Sequence, residues 1–431
     1  MITRRDVLKY GVATGAVGAG LAAPAIAQAP TTLTLMTYES LPATQAVLRE
    51  QAAAFEAAHP GVKVNPSFSS GEALRTQVAS MLQSGIAPDV VMLDLEDALL
   101  YSRNKVLEPV TDIVDGIAGL PGKYRARVDG QDYYVPVGIK FTYTFYRKDL
   151  FEKAGQQPAK TWDEFAAAAE KMTGNGQYGY VLSSAENFDY PVGQMFAYAF
   201  SNGVQFIDDE GNVVFDQGDN KKAFAETLAF LKRLSATSPN GSNIQWGAVI
   251  DAYTSGRVAM ADFIGARLLA IAKQNNPPVG NVTGTTPLAY HKGPGNRLAA
   301  QGYMTFQKSR NKDLAKQLVR FLADQKRNEQ FLWSTAMHVL PASSDTFRGG
   351  WRDNDFVKAN PDVLKTIEAS WDYGHSPVYD FNGKKPAWQR VRVYTSTTYN
   401  KIISAVVAGG VAPDEAIDDG AAAARQLIRR G

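Results

Sequence analysis

The sequence predicts an α/β protein made of two units, and three observations carry that expectation. At 431 residues the chain is long enough for two to three domains of roughly 150 residues each. Between residues 32 and 93, short apolar strands alternate with amphipathic helices in the order β-α-β-α-β, and a similar alternation restarts after Tyr133-Tyr134-Val135-Pro136. Continuously apolar strands separated by such helices form a parallel sheet covered on both faces. Ligands of these sheets sit beyond the carboxyl ends of the strands.

The elements come in order along the chain. Thr32-Leu33-Thr34-Leu35-Met36 alternates as a strand, and Leu48, Ala52 and Phe55 then mark one face of a helix that His59-Pro60-Gly61 ends. Val62-Lys63-Val64 is a second strand, Glu72 to Ser84 a second helix, and Val90-Val91-Met92-Leu93 a third, fully apolar strand. In the second unit Thr161-Trp162-Asp163-Glu164 is a capping box, which starts a helix at Trp162. Tyr178 to Ser183 reads as a strand, Lys222 to Leu234 as a helix and Val258 to Ile264 as an apolar strand. The Gly-, Pro- and Asn-rich stretches Asn276 to Gly284 and His291 to Asn296 read as a crossover or linker. Asn311 caps a helix with Leu314, Leu318, Phe321 and Leu322 on one face. The last helix opens on Pro413, Asp414 and Glu415 and closes on Arg425, Arg429 and Arg430, charges that complement its dipole.

Composition removes whole classes of function. Hydrophobic residues make up 45% and charged residues 20%, the balance of a soluble globular chain. A formal charge of +2 is too even for affinity built on nucleic-acid phosphates. With no cysteine there is no disulfide, thiol nucleophile, cysteine metal site or lipid-modified cysteine. The histidines His59, His291, His338 and His375 lack metal-ligand spacing, so no metal or cofactor is expected.

Residues 1–27 read as a cleaved export signal: Arg4, Arg5 and Lys9 precede an uncharged apolar run from Gly11 to Ala23, and Ala25-Ile26-Ala27 fits the cleavage rule. The run is shorter than the roughly 20 residues of a membrane anchor. Thr3-Arg4-Arg5-Asp6-Val7-Leu8-Lys9 is of twin-arginine type, with Val7 where that motif usually has Phe. Removing the leader leaves 42 basic and 42 acidic residues. The expectation is a periplasmic protein, free of lipid.

Several local patterns then appear in one order. Ser84-Gly85-Ile86-Ala87-Pro88-Asp89-Val90-Val91, Gly130-Gln131-Asp132-Tyr133-Tyr134-Val135-Pro136, Tyr146 to Gly155 (YRKDLFEKAG), Thr161 to Phe165 (TWDEF), Gly256 to Met260 (GRVAM) and Gly410 to Ala416 (GVAPDEA) span most of the chain. Together they resemble the extracellular solute-binding proteins of the sugar-binding, maltose-binding-protein-like family, with Arg147 replacing the family's usual Asn. The resemblance implies a two-lobed periplasmic binding protein fold of type II, a ligand cleft between lobes joined by a hinge, and no catalysis. It implies delivery of a sugar or sugar derivative to the membrane permease of an ATP-driven importer by a monomer that closes on its ligand. The segments expected are lobe 1 over 28–139, lobe 2 over 140–278, lobe 1 again over 279–310, and lobe 2 with the C-terminal helices over 311–431.

Sugar recognition needs aromatic faces and planar polar groups in a dry pocket, and the strand ends supply candidates. Tyr38 and Glu39 follow strand one, Ser70 follows strand two, and Asp94 and Glu96 follow strand three, where Asp94 also suits a helix cap. Tyr303 ends the strand before the Asn311 helix, and the resemblance adds Lys140, Asn187, Phe188, Arg267, Trp371, Tyr373 and His375, each at or near a place where relatives meet their ligands. Lys140 and Arg267 stand where relatives tend to carry an acid and an aromatic ring. Two cations there either call for an anionic ligand or are neutralised by Asp94, Glu96 or Asp262. Two other readings stay open. One is a binder of polyamine or ferric ion, for which Tyr133-Tyr134 is the feature to weigh against plain strand packing. The other is a secreted hydrolase using Asp94 and Glu96, whose carboxyl groups would stand about 5 to 9 Å apart across the ligand.

Overall fold

A computed structural model describes residues 30–186, 189–239, 244–379 and 387–430; the leader, Asn187 and Phe188 lie outside the described residues. Its strands are β1 (Thr31–Thr37), β2 (Val62–Phe68), β3 (Val90–Asp94), the short hairpin β4 (Arg127–Val128) and β5 (Gln131–Asp132), β6 (Val135–Arg147), β7 (Tyr178–Val181), β8 (Val258–Ile264), β9 (Thr283–Thr286), β10 (Asn296–Thr305), β11 (Leu340–Pro341) and β12 (Gly374–His375). The main strand order is β2-β1-β3-β10-β6-β8-β7. β1 runs parallel to β2 and β3, as the alternating pattern predicts, while β10 runs antiparallel to both β3 and β6.

β6 joins the two lobes. Its first part, Pro136 to Phe141, pairs with β10 in the first lobe, and its second part, Thr142 to Arg147, pairs with β8 and β9 in the second. The strand is buried from Val135 to Phe145 and flanked on both sides in both lobes, so it is mainly apolar, with Lys140, Thr142 and Thr144 as its buried polar exceptions. Gly138 lies where β11 crosses it: a Cβ there would stand 2.1 Å from Val339 Cγ1 and 2.8 Å from the Leu340 carbonyl oxygen.

Local chemistry sets most boundaries. The first helix starts at Pro42, in the first-turn position proline tolerates, and buries Leu48, Ala52 and Phe55. Pro66 sits within β2 because β2 is an edge strand with β1 as its neighbour in the sheet. The helix Trp162–Lys171 begins where its capping box predicts: Glu164 Oε2 accepts from the Thr161 backbone N–H at 3.1 Å, and Thr161 Oγ1 accepts from that of Glu164 at 3.4 Å. Thr161→Ala is expected to cost about 1 kcal/mol of stability in denaturant titration, the usual value of a lost cap; an unchanged midpoint would show that the cap is idle.

Two segment boundaries need correction. The stretch Asn276 to Gly284 is no crossover: it holds a short helix, Pro277–Asn281, and leads into β9, which pairs with Tyr146 and Arg147 of β6 in the second lobe. Residues 311–334 do not open a second-lobe segment either. Helix Lys312–Leu322 lies on β10, and helix Gln325–Ser334 lies on the first helix, where Gln51 Nε2 donates to the Arg327 carbonyl at 2.8 Å and Thr44 Oγ1 to the Ser334 carbonyl at 3.0 Å. The reason is chain direction. β10 ends at Thr305 beside Val90, at the start of β3, so the chain leaving β10 is already on the first sheet. An apolar helical stripe does not say which sheet it covers. The C-terminal helices Thr398–Val407 and Pro413–Arg429 pack on Gly218–Ser235. Among the described residues no helix is long and apolar enough to cross a membrane.

Candidate functional site

The carboxyl ends of β1 and β3, the start of helix Gly71–Gln83, the middle of β6, helix Asp189–Ser201 and the turn after β8 meet around a cavity with about 110 Å³ of free space for water-sized molecules. The first lobe contributes Tyr38, Arg75 and Asp94, the second Tyr190, Gln194, Trp246 and Phe263, and Lys140 stands on the shared strand. The wall thus combines aromatic faces with fixed polar groups, the combination small polar ligands require.

A hydrogen-bonded network runs beneath the cavity. Lys140 Nζ reaches Asp94 Oδ1 at 3.1 Å, Tyr38 Oη at 2.9 Å and Gln301 Oε1 at 3.1 Å. Arg75 Nη2 donates to Asp94 Oδ2 at 3.1 Å, and its Nε to Asp97 Oδ1 at 3.0 Å. Gln301 Nε2 donates to Glu39 Oε1 at 2.6 Å, and Glu39 Oε2 accepts from Arg267 Nη2 at 3.0 Å. Arg267 also reaches Ser40 Oγ at 3.2 Å and lies 6.0 Å from the Trp246 ring centre. Arg297 donates to Glu96 Oε1 at 3.3 Å and to the Tyr394 hydroxyl. Each of these four cations therefore faces a protein carboxylate.

Burial and charge divide the acids. Burial acts to raise Asp94, but Lys140 and Arg75 overcome it and hold the carboxyl at about 2. Glu96 goes the other way, pushed up to about 7 by burial and by the neighbouring Asp94 charge, against the pull of Arg297. His338, in the cavity wall, is held well below the ordinary histidine value by burial and by Arg267 and Lys140, so it is neutral at physiological pH.

A family model for bacterial extracellular solute-binding proteins matches residues 38–328. The chain belongs to that family. The protein YcjN of Escherichia coli K12, described as an ABC transporter periplasmic-binding protein, is 27% identical over 330 residues, 73% of this chain and 74% of YcjN. The mannitol-binding protein of Pseudomonas aeruginosa is 26% identical over 243 residues, 52% of this chain and 53% of its own length. Among solved structures, an ABC transporter solute-binding protein of Thermotoga lettingae, bound with α-D-tagatose, superposes with a TM-score of 0.78 at 20% identity, covering 92% of this chain and 99% of that one. That likeness fixes the two-lobed fold.

In this solute-binding protein, Tyr38, Asp94, Lys140 and Arg267 of the expected residues line the cavity together. Asp94 is also the residue before helix Leu95–Arg103, so cap and site coincide. Glu39 lies beneath the wall as the partner of Arg267 and Gln301, with its side chain sealed from solvent. Ser70 stays outside the cavity and caps helix Gly71–Gln83 through the Ala73 N–H at 3.3 Å; its neighbours Gly71 and Glu72 are the lining residues. Glu96 lies in the adjoining groove rather than in the cavity wall.

Five expected site residues are displaced for physical reasons. Tyr303 is core: β10 runs antiparallel to β3, so its cleft end is Asn296–Arg297, and Tyr303 pairs with Met92 inside the sheet. Asp262 is fully buried in the second lobe and takes no part in neutralising Lys140 or Arg267; the adjacent Phe263 points to the cavity. Trp371 stacks on Phe347 at 4.2 Å between ring centres and leans on Phe141, while Tyr373 is absent from the cavity wall. His375 faces Phe200 at 5.5 Å in a separate small hollow. Tyr134 is buried, so the paired tyrosines do not meet in the cleft.

The sequence reading missed Arg75, Tyr190, Gln194, Trp246, Arg297 and His338. Arg75 carried a usable signal, since it lies one helical turn into the helix that starts at the end of strand two. Trp246 and His338 carried none, because loops bring them in from far along the chain.

Proposed function

We propose that this protein is the binding component of an ATP-driven importer and that it holds one neutral sugar ring or an open-chain polyol between its lobes. The observation that carries this reading is the small two-lobed cavity whose cations are already paired. Lys140 and Arg75 face Asp94 and Asp97, and Arg267 faces Glu39, so the alternative in which Lys140 and Arg267 select an acid loses its basis. A single ring or polyol is in line with the mannitol and tagatose named for two similar proteins. A hydrolase needs two carboxyl groups flanking the ligand, whereas Asp94 is tied to Lys140 and Arg75, and Glu96 pairs with Arg297 outside the cavity wall. The reading includes export by the leader of residues 1–27, a periplasmic location without a lipid anchor, and action as a monomer.

The test is a thermal-shift and calorimetric screen of D-mannitol, D-tagatose, maltose, D-gluconate and spermidine. Mannitol or tagatose at 100 times Kd is expected to add about 2.7 kcal/mol of stability, and X-ray scattering should show the protein contracting as the ligand bridges both lobes. Binding of gluconate or spermidine in preference to every neutral compound would overturn the reading.

A further inference from the structure

Asp262 is the most thoroughly enclosed acid near the cleft, and the groups that enclose it lead to the cavity wall. Its Oδ1 accepts from Thr144 Oγ1 at 2.6 Å, and its Oδ2 accepts from the hydroxyls of Tyr180, at 2.6 Å, and Tyr198. Burial raises its carboxyl from the ordinary value, and the three hydroxyls act against that rise. An acid kept at such cost, where an apolar side chain would fill the same space, has a use for its acceptor oxygens.

That use lies one bond further on. Tyr180 Oη, which gives its proton to Asp262, accepts from Gln194 Nε2 at 2.9 Å. A hydroxyl has one proton, so with that proton committed to the carboxylate Tyr180 can only accept from Gln194. This sets the amide: nitrogen toward Tyr180 and oxygen toward the Ser183 backbone N–H, 3.4 Å away. Gln194 is itself a buried cavity-wall residue, and one turn earlier on its helix the wall residue Tyr190 donates its hydroxyl proton to the Asp262 backbone carbonyl. Side chain and backbone of one residue thus hold two wall groups from behind.

We infer that Asp262 is a positioning residue of the second-lobe wall: sealed from the ligand, it fixes through Tyr180 the direction of the Gln194 amide that the ligand meets. A polar group held in one orientation before binding loses less freedom on binding. The inference rests on the cleft being the ligand site, and its test separates the two ideas.

Without ligand, the side-chain amide signals of Gln194 are followed in nitrogen-edited NMR spectra of the whole protein. They are expected to be dispersed and slow to exchange in the wild type, and to collapse toward free-glutamine positions in Tyr180→Phe and Asp262→Ala. Asp262→Asn keeps an acceptor oxygen and should restore them; Thr144→Val removes the donor on the other carboxylate oxygen, away from Tyr180, and should leave them in place. With D-mannitol or D-tagatose, whichever binds in the screen, the first two variants should weaken affinity about tenfold or more, chiefly through faster dissociation, and the other two by less than about threefold. Tyr180→Phe decides the matter if Asp262→Ala does not fold. Unchanged Gln194 signals in a folded Tyr180→Phe protein would overturn the inference. Collapsed signals with no binding of any sugar or polyol by the wild type would uphold the positioning and sink the reading of the cleft.

Discussion

Lys140→Met is expected to lower the stability of the folded protein by about 3–5 kcal/mol and to abolish binding of any ligand the wild type holds. Lys140 and Asp94 are both almost wholly buried. The lysine ammonium is shared among a carboxylate, a tyrosine hydroxyl and an amide oxygen, and Asp94 stays ionised at about 2 only because Lys140 and Arg75 together overcome its burial. Removing the lysine leaves a buried carboxylate with one partner fewer and takes one hydrogen-bond partner each from Tyr38 and Gln301. Since Gln301 also holds Glu39, the partner of Arg267, the disturbance passes from one lobe to the other. The control is Lys140→Met combined with Asp94→Leu. Taking both charges away should return a large part of the lost stability, because an apolar pair has no desolvation penalty to offset. Binding should stay lost in both proteins. Denaturant titration of the four species gives the coupling. A loss below about 1 kcal/mol in the single variant would mean that water enters the site and solvates Asp94, and that the network does not hold the cleft together.

The limits of reading this site in advance are physical. Where one short stretch contains all the interacting groups, the sequence is sufficient: the Thr161–Glu164 box starts its helix on the expected residue, and the apolar run Val258–Ile264 is β8 in full. Strand-end logic also places Tyr38 and Asp94 in the wall, since β1 and β3 run parallel and share one cleft end. It fails at β10. That strand returns antiparallel between β3 and β6, which reverses the end that matters, so Tyr303 falls into the core and Arg297 comes to the cleft. Direction depends on pairing between residues about 160 to 210 positions apart, such as Ala299 with Lys140 and Met304 with Val91, and no local pattern encodes it. At Asp262 the error is a single position. Successive strand residues face opposite ways, so Phe263 looks into the cavity and the acid beside it looks into the lobe.

The fall of stability between pH 5 and pH 8 should be less steep in Glu96→Gln than in the wild type by about 3 kcal/mol. Glu96 is pushed up to about 7, first by burial and then by Asp94, with Arg297 opposing and Asp97 adding a smaller repulsion. In the unfolded chain the same carboxyl returns to the ordinary value near 4.5. Between those two values the folded protein keeps a proton that the unfolded chain has given up. The stabilisation from this group is therefore complete below the unfolded value and is lost as pH rises through about 7. At 1.36 kcal/mol for each pH unit, the separation comes to about 3 kcal/mol. Asp94 does not overlap, because its lowered value confines its contribution to acid below the ordinary carboxylate range. His338 and His375 act with the opposite sign, since burial lowers both and the unfolded chain takes up their protons first. They are present in both proteins, so the difference between the two slopes isolates Glu96. Denaturant titrations of each protein at pH 5 and pH 8 measure it. Equal slopes would show that Glu96 is ionised throughout this range, its pair with Arg297 outweighing both burial and the charge on Asp94.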